Sequence, residues 1–390
     1  MSTDERNLII LQAMDYFAGS LAGIFVTVFF FSNSDFKTTA RFNFWMLVFL
    51  LFFYVLSGWT LKKISSALLI RISLVAGALF YLLMFILRGK SVIYIFPLAF
   101  LMGFSTGNYW AGYNLNQYIL TNKETRVKYF GLVTGIINIL QAIAPAIGGA
   151  IVLLGKSTSF MGNDAGYAWL FFIVFLINVL MIVFVGRLPS HEIPSFSYRH
   201  ILDHKRSREW KLVLSQQALL GLYDVSSGVV IGILVYLIVK NEFLLGGSQF
   251  LGFLLGALGS IISVRLLKKK LFYWVGVLGL ICGTVLFALW QNPIGVLTFV
   301  IITGFTAPFL NNWLSTVYFH ALDNVKVSWR EKYHFMLERD IALGVPRILS
   351  FLLLFIFLQM GNQVKLARIS LYFLPLLPLG IGLLLRENKQ

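Results

Sequence analysis

Two aspartates, Asp15 and Asp224, each stand inside a long apolar run of this 390-residue chain. A charged side chain in a membrane helix is costly and usually faces a cavity or a partner, and intramembrane carboxylates commonly relay protons. Each aspartate opens the same pattern. Asp15, Gly19 and Gly23 recur at every fourth position, as do Asp224, Gly228 and Gly232, so each set shares one helix face. The glycines are expected to let helices approach closely, and the carboxyl groups to exchange a proton as a cavity switches sides. Arg347, beside Pro346 in a third apolar run, is the matching cation. A guanidinium away from water needs an anion, and Asp15, Asp224, an anionic solute or lipid headgroups could each provide it. Asp15, Asp224 and Arg347 are therefore the proton-coupling candidates.

Neutral polar groups form a second constellation. In one run Asn108 and Gly112 share a helix face with Ser105 and Asn116, and Tyr109 and Tyr113 stand at its edge. A later run carries Asn311 and Asn312, and the Asp224 run adds Gln217 and Ser227. Amides and aromatic rings hydrogen-bond, stack and receive cations on their π faces, which suits a neutral or amphipathic solute. All but Ser105 and Asn116 are cavity candidates; Asn116, like the nearby Gln117, is expected to bond between helices. Lys62 and Lys63, after the second apolar run, and Glu338, Arg339 and Asp340, opening the Arg347 run, form either a cytoplasmic gate or ordinary charge clusters at helix ends.

Those residues need helices that cross a bilayer. The chain is 58% hydrophobic and 12% charged, with mean hydropathy +0.81, against about 25% charged in soluble domains. A span takes about 20 apolar residues. The runs predict twelve, over 8–31, 42–61, 67–87, 92–119, 129–154, 166–186, 211–239, 246–266, 271–290, 294–320, 334–360 and 366–385. Barrel strands would alternate over about 10 residues instead. Lysine and arginine crowd alternate loops, at 21 positions against 8 in the others, which places both termini in the cytoplasm. The net charge of +16 then reflects topology and anionic lipid, with no nucleic-acid partner.

Catalytic and metal signatures are missing. Cys282 is the one cysteine, which excludes an internal disulfide and a cysteine metal site. The five histidines fall in loops or at helix ends, and His200 and His204 read as part of a solvated basic linker. There is no metalloprotease helix, phosphate-binding loop or nucleophile elbow. No enzyme, cofactor or metal is expected, and energy must come from an ion gradient or the solute's own gradient. No cleavable signal peptide is expected either.

The longest polar stretch, 187–210, divides the chain into 1–186 and 211–390, six predicted helices each, and reads as a tether. The halves repeat. Asp15–Val26 aligns without gaps to Asp224–Val235, with identity at the aspartate, both glycines, the isoleucine and the final valine. Gly103-Phe104-Ser105 echoes Gly304-Phe305-Thr306, each followed by asparagine and tryptophan. Repeats six helices apart, with a site at their interface, describe a secondary transporter.

On these features the whole chain resembles the major facilitator superfamily. The resemblance implies an all-α integral membrane protein of two pseudo-symmetric six-helix bundles. They would rock about a central cavity lined by the first, fourth, seventh and tenth helices. Ala144-Pro145-Ala146-Ile147-Gly148-Gly149 is similar to the family's fifth-helix motif associated with antiporters, with Leu140 and Ala144 replacing two glycines. The loop after the second helix, from Gly58 through Lys62 and Lys63 to Ser65, lacks the family's acidic residue. Ala99 stands where many proton-driven exporters have arginine. Arg339-Asp340-Ile341, followed by Arg347, is similar to a bacterial branch of the superfamily. The expected function is alternating-access transport of a small organic or amphipathic solute by a monomer in the cell membrane, as proton-coupled efflux. Lipid flipping, facilitative uptake and a non-transporting sensor or scaffold are the alternatives.

Overall fold

The computed structural model describes residues 2–121, 123–156, 164–193, 196–203, 206–266, 272–325 and 327–387. Positions 194, 195, 204 and 205 of the predicted linker, including His204, lie outside them. Every regular element among the described residues is helical. The first six are α1 (Thr3–Asn33), α2 (Phe36–Thr60), α3 (Ser66–Leu87), α4 (Ile95–Leu120), α5 (Lys123–Lys156) and α6 (Ala165–Phe184). A short α7 (Tyr198–Asp203) sits in the linker. Then come α8 (Arg208–Val239), α9 (Glu242–Leu266), α10 (Tyr273–Leu289), α11 (Pro293–Asn324) and α12 (Trp329–Leu358), followed by α13 (Gln363–Ser370) and α14 (Leu376–Glu387).

Local sequence explains where these helices start. Ser2 and Glu5 make a reciprocal capping box at α1: the Glu5 N–H donates to Ser2 Oγ at 3.1 Å and the Ser2 N–H to Glu5 at 2.6 Å. Asp35 caps α2, Ser207 caps α8 and Ser328 caps α12, each side chain accepting from an N–H three residues on. These oxygens satisfy backbone donors that a helix start leaves unpaired. They also set the starts of α1, α2, α8 and α12 several residues before the apolar runs begin.

Nine helical stretches among the described residues are long and apolar enough to cross a membrane. One of them, Ser66–Leu120, is α3 and α4 joined by the 3-10 turn Arg88–Tyr94. Two predicted spans come out differently. The ninth is the 17-residue α10, and the last is no single helix. It breaks between Ser370 and Leu376 into α13 and α14. Pro375 lacks an N–H and disfavours helical geometry at the residue before it, so the run 366–385 is apolar enough for a span but not continuous.

Close helix crossings hold the assembly together. α5 lies along both α1 and α9, α12 along both α8 and α2, and α9 along α11. At Gly148 a methyl group would sit 2.5 Å from the Leu21 carbonyl oxygen of α1, and at Gly149 it would sit 2.6 Å from the Glu242 carbonyl oxygen of α9. The two motif glycines thus let α5 touch α1 and α9 backbone to backbone.

Candidate functional site

A cavity of about 830 Å³ lies between α1, α5, α8, α9 and α11, within the range of small-molecule sites. Its polar lining comes from every side. α5 presents Thr134, Asn138 and Gln141, a stripe at helical spacing, and α9 presents Ser248, Gln249 and Ser260. α11 adds Thr303, Asn311 and Asn312, and α8 adds Tyr223, Asp224 and Ser227. Phe253, Leu280 and Phe299 supply apolar wall.

The charge at this cavity is a pair. Arg347 on α12 donates from Nε to both Asp224 oxygens, at 3.2 and 3.0 Å, and its Nη2 also contacts Asp224 Oδ2. Of the four partners open to Arg347 from sequence, Asp224 is the one it meets. The side chains are 24% and 26% exposed, and of the two it is Asp224 that lines the cavity.

The glycine stripes behave unlike close-packing stripes. A methyl group at Gly19, Gly23 or Gly228 would meet no atom within 4 Å; only at Gly232 would it press on a neighbour, Ile24 Cδ1 at 2.5 Å. Gly23, Gly228 and Gly232 border the central cavity, and Gly19 borders a smaller one. Missing side chains here create space beside each aspartate, correcting the expectation of helix packing.

Asp15 faces that second cavity, of about 170 Å³, enclosed by α1, α3, α4 and α6. The structure therefore separates the two aspartates that the repeat aligns. Arg347 serves only one of them.

The neutral candidates also divide. Ser227, Asn311 and Asn312 line the central cavity, and Asn312 Nδ2 donates to Ser260 Oγ at 3.2 Å and Ser263 Oγ at 2.6 Å. Tyr109 borders the smaller cavity and donates to Gln12 Oε1 at 3.0 Å. Asn108, Gly112, Tyr113 and Gln217 lie outside both cavities. Asn108 joins α4 to α2 by accepting from Ser57 Oγ at 2.9 Å, and Tyr113 pairs with Tyr129 at 3.0 Å. A methyl group at Gly112 would press on Ile70 of α3 at 2.7 Å, and Gln217 is buried. Single-helix periodicity could not tell these interhelical contacts from cavity lining.

The end of the molecule where α2 finishes and α12 begins carries a set of polar contacts. Tyr54 of α2 donates to Asp340, and Asn114 donates to Tyr54 at 3.2 Å. Arg339 pairs with Asp340 at 3.1 Å and lies over the Tyr318 ring, 4.7 Å from its centroid. Glu338 accepts from Trp210 Nε1 at 2.7 Å and pairs with Arg206 of the linker. Glu338, Arg339 and Asp340 thus each contact other helices or the linker at this end. Lys62 and Lys63 are exposed, with Lys63 over the Trp59 ring at 4.2 Å.

The linker packs at the same end. Phe196 is buried against Gly58, where any side chain would collide with its ring. His191 bonds Asn116 at 2.8 Å, and the Ile193 N–H donates to the Leu61 carbonyl at 2.9 Å. Burial pushes the His191 imidazole below its ordinary range, against an opposing pull from Asp4. At the opposite end Tyr167 of α6 and Tyr236 of α8 donate to the buried Glu242 at 3.1 and 3.3 Å. Gln363 there donates to Asp35 at 3.0 Å. Burial would raise the Asp35 carboxyl, but this bond and those from Thr38 hold it below the ordinary range.

Sequence reasoning missed the α5 stripe. Thr134, Asn138 and Gln141 do fall on one face, which was the available signal. Tyr54 and Phe196 carried none, since their roles depend on α12 and Gly58, far away in sequence.

Comparison with known proteins agrees with this architecture. Residues 8–327 match the model of the Major Facilitator Superfamily. An uncharacterised protein of Bacillus subtilis (strain 168), YqgE, is 22% identical over 341 residues, covering 85% of this chain and 77% of its own. Among solved structures, the nucleoside transporter NupG (D323A mutant) has TM-score 0.70 at 13% identity, covering 99% of this chain and 100% of its own. A bacterial homologue of the iron transporter ferroportin, in an inward-facing state, has TM-score 0.70 at 14% identity, with 99% of both chains covered. At such identities these two likenesses speak for the fold. A family match over most of the chain, together with the long apolar helices, establishes that the protein belongs to the Major Facilitator Superfamily, as a multi-pass membrane protein.

Proposed function

We propose that this protein is a secondary transporter that exports a small, neutral, hydroxyl- or amide-bearing solute in exchange for protons. Transport would proceed by alternating access between two six-helix bundles, 1–186 and 211–390, with both termini in the cytoplasm, acting as a monomer in lipid. The observation that carries this reading is the central cavity. It has hydrogen-bonding groups on α5, α8, α9 and α11 around one charge-neutral pair, Asp224 and Arg347. Among the described residues a solute with net charge would have no unpaired counter-charge there, and desolvating it would be costly. A neutral solute with several hydroxyl or amide groups matches the lining. NupG, a nucleoside transporter with the same fold, makes nucleosides a sensible first class to try.

Asp224 supports the proton side of the exchange. A proton on its carboxylate would cancel the charge that holds Arg347 and free the guanidinium toward the cavity. Solute and proton could then compete for one switch. The α5 motif glycines, at the crossings with α1 and α9, support the antiport direction by the family resemblance. Lipid flipping would need one polar and one apolar half of the cavity, whereas polar groups occur on every wall.

Thermal unfolding of the purified protein, with nucleosides, sugars and lipophilic cations added separately, tests this. A ligand that binds the folded state raises the midpoint by mass action. The expected result is a saturable rise with a neutral hydroxyl-rich solute that is lost in Asn138→Leu and Asn311→Leu. A rise with lipophilic cations alone would contradict the reading.

A further inference from the structure

We infer that the cavity beside Asp15 is a binding site for a monovalent metal cation, with sodium the best-matched ion. This cavity, enclosed by α1, α3, α4 and α6, is separate from the solute cavity.

The argument starts from oxygens without partners. Asp15 makes no hydrogen bond or ion pair with any described residue, and neither do the hydroxyls of Tyr81, Ser105 and Thr106. Asn178 spends its Nδ2 on the Val174 carbonyl, at 2.9 Å, which leaves Oδ1 free. All five side chains border this one cavity. Tyr81, Ser105 and Asn178 are 5%, 9% and 6% exposed, and Asp15 and Thr106 are half-buried. Leaving such groups unpaired costs free energy, and a lone carboxylate within the membrane costs more.

The oxygens also converge. A methyl group built on Gly77 of α3 would lie 2.8 Å from Ser105 Oγ and 3.0 Å from Asn178 Oδ1. The Ser105 oxygen of α4 and the Asn178 oxygen of α6 thus both lie against the bare Gly77 backbone, on the α3 wall of the cavity. A carboxylate, an amide oxygen and hydroxyls form a hard ligand set, which selects alkali or alkaline-earth ions over soft metals. Met102 and Met181, also in the wall, act as apolar filling.

Charge then picks the valence. Among the described residues, Asp15 is the one ionisable carboxylate bordering the cavity, and no lysine or arginine borders it. A single positive charge gives neutrality, whereas a divalent ion would leave net charge inside the membrane. A volume of about 170 Å³ accommodates a small ion with a few waters, each water taking roughly 30 Å³. An ion held here would tie α1 to α3, α4 and α6, and so would bias the helix that crosses α8 at Ile24 and Gly232.

Thermal unfolding of the full-length protein at fixed pH and ionic strength, in sodium chloride against choline chloride, tests the site without any transported solute. Failure here therefore leaves the transport reading standing, and failure of a solute screen leaves this site standing. The expected result is a saturable, sodium-specific rise of the midpoint in the wild type. Asp15→Asn and Gly77→Ala should each abolish it, and Ser105→Ala should weaken apparent sodium affinity about threefold or more. Gly77→Ala adds bulk in a packed region; should it not fold, Asp15→Asn and Ser105→Ala decide alone. Equal midpoints in sodium and choline, a full sodium response in Asp15→Asn, or a larger response to magnesium or manganese would each overturn the assignment. A midpoint indifferent to sodium but moved by pH through Asp15 would assign the cavity to a proton and overturn it as well.

Discussion

Asp15 and Asp224 occupy equivalent places in a sequence repeat and unequal places in the molecule. Each opens a glycine stripe that leaves a cavity at its side. Asp224 is held by Arg347 at the edge of a large cavity with polar walls. Asp15 sits in a small one among neutral oxygens. The spacing that relates Gly103 to Gly304 also relates Pro145 to Pro346, and it would match Arg347 with Ala146. The N-terminal half therefore has no counterpart of the guanidinium. A repeat copies helices and their small-residue faces, while the charge partner supplied by a neighbouring helix decides what each carboxylate can bind.

The largest expected effect breaks the paired side. Asp224→Asn leaves Arg347 facing an amide, and losing an ionic partner is expected to cost about 1–3 kcal/mol of stability. Gradient-driven transport should fall by roughly tenfold or more, or about 1.4 kcal/mol in barrier. A double-mutant cycle with Arg347→Gln, read by unfolding midpoints, should show strong coupling between the two; additive effects would mean that the pair is not formed in solution. Arg347→Lys should be intermediate, since an ammonium cannot reproduce the two-pronged contact, and wild-type transport by it would point to a packing role.

Next in size is the contrast with Asp15→Asn. No ion pair is broken there, and without sodium the lone carboxylate is itself costly, so its unfolding midpoint in choline should be no lower than that of the wild type. A loss as large as that of Asp224→Asn would erase the distinction between the sites. Smaller still is the linker. Because burial lowers the His191 pKa in the folded state, the unfolded linker takes up a proton first as pH falls. Folded-linker stability is thus complete at neutral pH and declines as pH drops below the ordinary histidine value of about 6.5. Limited proteolysis at Arg199 should quicken slightly between pH 7 and 5, and His191→Gln should flatten that trend; an unchanged trend would assign it to another group.

Much of the fold was legible because bilayer-length apolar runs are strong signals. The halt at Pro375 was not, since an apolar run reads the same whether or not its backbone is continuous. Asp224 and Arg347 stood out individually as charges in apolar surroundings. Their pairing, and the exclusion of Asp15 from it, depends on how α8 meets α12. The glycines were misread because a missing side chain serves close contact and open space equally well. Gly148 does the first and Gly19 the second, and only neighbours distinguish them. Asn138 and Gln141 passed as ordinary helix residues because each is common in isolation. Ser105 and Asn178 come from different helices, and nothing local links either to Asp15.

Solute-evoked proton movement tests the central claim most directly. Vesicles containing the purified protein and a pH-sensitive dye would receive the solute identified by thermal shift, with wild type and Asp224→Asn compared. The account predicts a change in internal pH for the wild type, in the direction opposite to solute flow, and none for Asp224→Asn. Solute flux through the wild type with internal pH unmoved would contradict it.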